Sequence, residues 1–87
     1  MSDSQTSFIR MIWDYYGTES EPTATHFLRH LKDFLSEHNV PFTALEVEAV
    51  SNHHAAAYVD LGHVHLELVG RALKPHRVYK VSNNGSD

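Results

Sequence analysis

Hydrophobic and polar residues alternate from the start of the readable pattern. Between residues 8 and 16, Ile9, Met11, Trp13 and Tyr15 fall on one side of an extended backbone, with Arg10 and Asp14 on the other. That period of two predicts a strand with one buried face, Trp13 and Tyr15 pointing into the core. Gly17 ends it, and residues 17–23 form a polar, acidic connection. The period then changes. Ala24, Phe27, Leu28, Leu31, Phe34 and Leu35 recur at i, i+3, i+4, i+7, i+10 and i+11, one apolar stripe along a helix. Ser20, Glu21 and Pro22 suit its start, because proline is tolerated in a first turn. Asn39 suits a left-handed cap, with Pro41 just beyond it.

Period two returns over residues 43–50, where Leu45, Val47 and Ala49 face one way and Glu46 and Glu48 the other. Ser51-Asn52-His53 predicts a turn. Residues 55–60 then predict a returning strand with Ala55, Ala57 and Val59 inward, although alanine is a weak strand former. Residues 60–74 admit two readings. As a helix capped by Asp60 they put Leu66, Val69 and Leu73 on one face and stop at Pro75; as a strand, 63–68 alternates polar and apolar. The run from Leu66 to Lys74 is rich in helix formers, with Arg71 and Lys74 suiting the carboxyl end, and favours the helix. Residues 76–81 close the pattern as a strand.

The predicted order is βαββαβ. Burial of both helix stripes on one sheet face leads to an α+β, ferredoxin-like two-layer sandwich. The strand reading of the ambiguous stretch leads instead to one helix on a five-stranded sheet. A single domain over residues 8–81 is expected, between disordered polar tails at 1–7 and 82–87.

Three short pieces, Ile12-Trp13-Asp14-Tyr15-Tyr16-Gly17, His26-Phe27-Leu28-Arg29-His30-Leu31 and Ala72-Leu73-Lys74-Pro75-His76-Arg77, resemble those of small bacterial proteins of ferredoxin-like type. The resemblance spans most of residues 8–78. It implies the second helix and no particular activity.

Composition narrows the chemistry. There is no cysteine, hence no disulfide, thiolate metal site or cysteine nucleophile. The polar amino terminus and the lack of a long apolar run predict a cytoplasmic protein with no membrane segment. A formal charge of −4 argues against nucleic acid as a partner. Histidine is the outlier. There are eight, and protonating all of them would carry the charge from −4 to +4. No phosphate-cradling glycine loop or nucleophile elbow is present.

In a ferredoxin-like fold the end of strand 1, the start of helix 1, the turn between strands 2 and 3 and the entry to strand 4 meet at one end. His26, His30, His54 and His76 are therefore expected to converge there and to offer imidazole ligands to a divalent transition metal, the one cofactor this composition suggests. Asp14, Tyr16, His53 and Arg77 are the other candidates for a pocket at that end. His26 and His30 share a helix face at i, i+4, but any solvated face shows polar residues at such spacings. His38, His63 and His65 are expected at the opposite end. The open sheet face, with Ile12, Tyr16, Ala44, Val50, Ala56 and Tyr58, is expected to pair with a second copy. These features suggest a small binding or regulatory domain. The rivals are a small dimeric α+β-barrel enzyme using histidine as acid or base, and a plain protein-interaction module.

Overall fold

The computed structural model describes residues 7–81. In chain order they form β1 (Phe8–Tyr16), α1 (Ser20–Glu37), β2 (Phe42–Ser51), β3 (His54–Gly62), α2 (Leu66–Leu73) and β4 (Arg77–Val81), with one 3₁₀ turn at His63–His65 leading into α2. Of the expected tails only Ser7 is described, its carbonyl accepting the His63 amide at 2.9 Å; residues 1–6 and 82–87 lie outside the described residues. The four strands make one antiparallel sheet in the order β2-β3-β1-β4. This α+β arrangement is compatible with a ferredoxin-like fold. Among the described residues no fifth strand forms, because residues 66–73 are helical.

The inward residues of β1 and β3 set the core. Ile9, Met11 and Trp13 meet Leu61, Val59 and Ala57 across the register, and Leu31 and Leu35 of α1 and Val69 of α2 join the same core. Ala24, Ala55 and Ala57 form a second buried cluster where α1 begins. The alanines that argued weakly for a strand are what lets a helix lie close on it, since each presents only a methyl group. Asn39 adopts the left-handed conformation expected of it (φ 55°), and the next residue, Val40, turns back into the core. Gly17 ends β1 with φ 110°, which side-chain-bearing residues rarely adopt, and its amide donates to His53 O at 2.8 Å.

The junction of β3 and α2 differs from expectation. Asp60 does not cap a helix; it lies inside β3, paired across the sheet with Arg10. The alternation that begins at Ala55 runs on through Val59 to Leu61, both fully buried. Carrying the strand to Gly62 thus buries Leu61 in the same core as Val59. His65 takes the capping position of α2 without a side-chain cap bond. Strand β4 likewise starts at Arg77, one residue later than expected, with His76 just outside it. At its far end α2 is tied down by a side chain from β1: Trp13 Nε1 donates to the Leu73 carbonyl at 2.8 Å.

Candidate functional site

By strand parity Arg10, Ile12, Asp14 and Tyr16 occupy the sheet face that carries no helix. The register places Asp60, Tyr58, Ala56 and His54 of β3 opposite them on one side. Tyr79 and Arg77 of β4 stand opposite Arg10 and Ile12 on the other side. Polar side chains from β3 and β4 thereby reach one carboxylate on β1. Asp14 Oδ1 accepts from His54 Nε2 and from Arg77 Nη2, and Oδ2 accepts from Arg77 Nε, each at 2.8 Å. The Asp14 side chain is only 7% exposed. Arg77 Nη1 donates to the Tyr79 hydroxyl at 3.1 Å. The His54 ring stacks on Tyr16 with centroids 4.4 Å apart and planes 22° apart, and Tyr16 is otherwise open to solvent.

The electrostatics follow from these contacts. Burial opposes ionisation of Asp14, but the hydrogen bonds and charges of Arg77 and His54 outweigh it and hold the carboxyl below its ordinary value. The same carboxylate, with Tyr79, pushes the Arg77 guanidinium further up. An ionised carboxylate only accepts, so the His54 proton sits on Nε2 and a neutral ring keeps its lone pair on Nδ1. The Asp14 backbone amide donates to His76 Nδ1 at 2.7 Å, which places that ring's proton on Nε2. The His76 ring also meets Tyr15 edge-on, with centroids 6.3 Å apart.

A second ion pair lies further along the same face. Arg10 donates from Nε and Nη2 to the Asp60 carboxylate at 2.7 and 2.9 Å, and its guanidinium lies 4.3 Å from the Tyr58 ring centroid. Each buried carboxylate on this face thus has a bidentate arginine. Among the described residues, no buried side-chain nitrogen or oxygen lacks a partner.

Comparison of the chain with family models, with curated proteins and with solved structures finds no match. The reading of the site therefore rests on its geometry.

The nominated histidines separate into three places. His26 and His30 pair with each other on the outer face of α1, Nε2 to Nε2 at 3.2 Å. His54 belongs to the Asp14 network on the helix-free face, and His76 meets the edge of β1. Among the described residues, no group of three or more His, Asp or Glu side chains stands where it could hold a metal ion. The four are therefore not assembled into one centre, because α1 presents its pair to solvent while the sheet holds the other two. Of the further candidates, Asp14, Tyr16 and Arg77 do join His54. His53 does not: it lies exposed in the β2–β3 turn and contributes only its backbone.

Of the residues expected to contact a second copy, Ile12 and Ala56 are already buried within one chain. Ile12 lies between Tyr58 and Arg77 in the register, whose long side chains share this face with it. Tyr16 and Val50 are exposed. Among the described residues no helix is long and apolar enough to cross a membrane.

Sequence reasoning missed Tyr79 and the Arg10–Asp60 pair. Tyr79 shares the parity of Arg77, a signal that was present. Asp60 was hidden by its reading as a helix cap.

Proposed function

We propose that the chain is a small binding domain of ferredoxin-like type whose working surface is the Tyr16–His54–Arg77 end of the helix-free sheet face. One observation carries the reading. A single buried carboxylate, Asp14, fixes an imidazole from β3 and a guanidinium from β4 beside an exposed aromatic ring. Burying a charge for stability alone is a poor bargain, since apolar replacements of buried ion pairs are often as stable or more so. Holding recognition groups in fixed positions is what such an arrangement does well.

The groups left over define the ligand. Tyr16 offers an exposed flat face, His54 Nδ1 offers a lone pair, and Arg77 keeps two of its five N–H groups after Asp14 and Tyr79 are satisfied. A planar ring with a hydrogen-bond donor and an acceptor on one edge matches all three. The test is an NMR titration with single-ring heteroaromatic amides and their saturated counterparts. Aromatic probes should shift Tyr16, His54 and Arg77 together, and Asp14→Asn or Tyr16→Ala should abolish the response. Equal responses to the saturated probes, or shifts confined to other surfaces, would overturn the reading.

The Asp14–His54 dyad favours a second reading, in which the same site is an acid–base catalyst. There His54 Nδ1 takes a proton from the bound molecule, and Asp14 stabilises the imidazolium that forms. His54→Gln separates the two readings, because it leaves a polar side chain at this place but no base. Under the second reading turnover disappears while binding persists.

A further inference from the structure

The outer face of α1 carries chemistry that the sheet site does not use. His26 and His30 are both exposed, one helical turn apart, with their rings 4.8 Å apart and nearly perpendicular. Their Nε2 atoms lie 3.2 Å apart. We infer that His26 and His30 form a bidentate chelate for a divalent transition metal ion, independent of the Asp14–His54 site.

With metal–imidazole bonds of about 2.0–2.1 Å, two ligand nitrogens stand roughly 2.9 Å apart at a right angle and about 3.4 Å apart at a tetrahedral one. The observed separation falls between these limits. An ion that enters between the rings takes the lone pair of each Nε2, and the ring that donated in the hydrogen bond changes tautomer, its proton moving by way of water to its own Nδ1. The backbone beneath them is already fixed. Ala24 and Leu31, on either side of the pair in sequence, are fully buried, so this part of α1 is anchored before any ion arrives. A pre-set spacing removes most of the ordering cost of engaging the second ligand. Imidazole pairs suit copper, nickel and zinc, and copper(II) should bind most tightly of the three. Two protein nitrogens leave the remaining positions to water, so a solvent-facing, exchangeable ion is expected.

The test uses the full, untagged chain stripped of metal and titrated calorimetrically with Cu²⁺, Ni²⁺ and Zn²⁺ separately. One high-affinity ion per chain is expected, tightest for Cu²⁺. His26→Ala and His30→Ala should each weaken it at least about tenfold, because each turns a chelate into a lone imidazole. His63→Ala, exposed on another element, should leave it unchanged. Both key side chains are exposed, and circular dichroism of each variant checks that the helix is intact, so a change in affinity reads the ligands themselves. Undiminished affinity in His26→Ala or His30→Ala would overturn the inference. An equal loss in His63→Ala would do the same, by showing unselective uptake.

Discussion

Replacing Gly70 by alanine should make this protein more stable. Gly70 lies inside α2, an eight-residue helix, with an ordinary helical backbone; among the described glycines only Gly17 has positive φ. A methyl group built on Gly70 would meet Met11 Cε at 3.7 Å, an ordinary van der Waals contact with the free end of a flexible side chain. No backbone or rigid group need move. Alanine is favoured over glycine in a helix interior by about 1 kcal/mol, much of it through the lost freedom of the unfolded chain. For a domain of this size that gain corresponds to a rise in Tm of about 4–8 °C. Thermal unfolding followed by circular dichroism measures it. Urea unfolding should move the midpoint up with the slope unchanged, since the surface exposed on unfolding is nearly the same. A lower Tm would refute the reasoning, because it would mean that α2 and β1 are packed too tightly at Met11 to admit one methyl group.

Other perturbations probe the site and its supports. Trp13→Phe keeps an aromatic ring beside Phe27 but removes the donor to the Leu73 carbonyl and part of a buried ring system, and should cost at least about 1–2 kcal/mol in urea unfolding; no loss would mean that neither the bond nor the packing holds α2. Because the Asp14 carboxyl is held below its ordinary value, its contribution to stability is complete above the unfolded value of about 3.9 and fades as pH falls below it. The stability difference between the wild type and Asp14→Asn should accordingly shrink as pH falls from about 5, the upper edge of carboxylate titration, to about 3. A gap that widens below about pH 5 would contradict the ion pairing. His76→Ala removes the acceptor of the Asp14 amide, so hydrogen exchange at that amide should accelerate while the central β1 amides stay protected; unchanged exchange would show that the ring does not hold it.

Much of this fold is legible along the chain because its buried stripes are unbroken. The period of two over Ile9, Met11, Trp13 and Tyr15 and the helical stripe from Ala24 to Leu35 each correspond to one face packed on the core. The passage from β3 into α2 is less legible. Asp60 ends one predicted strand and has the side chain of a helix cap, and its partner Arg10, which holds it on the sheet, lies fifty residues away in sequence. That pairing depends on register, which local pattern does not contain. The site shows the same division. Asp14, Tyr16, His54 and Arg77 were recognisable as a group from topology, since they belong to strand ends that meet. What topology did not reveal was direction: His26 and His30 leave α1 on the side away from the sheet, so being at the same end did not bring them to the same point.

The strand order has a consequence for how the chain reaches this structure. β1 lies at the middle of the sheet, yet its partners are the third and fourth strands to be made: Tyr16 faces His54, and Phe8 faces both Gly62 and Val81. Only the β2–β3 hairpin can form from neighbouring sequence. During synthesis the apolar segment around Ile9, Met11 and Trp13 therefore waits without a strand partner until most of the chain has been made. Such delayed pairing slows folding and leaves a sticky segment unprotected in the meantime. α1, the next element made, carries the apolar stripe that can shield it first. Changes that weaken α1 should therefore lower the yield of soluble protein more than their effect on the finished fold would suggest.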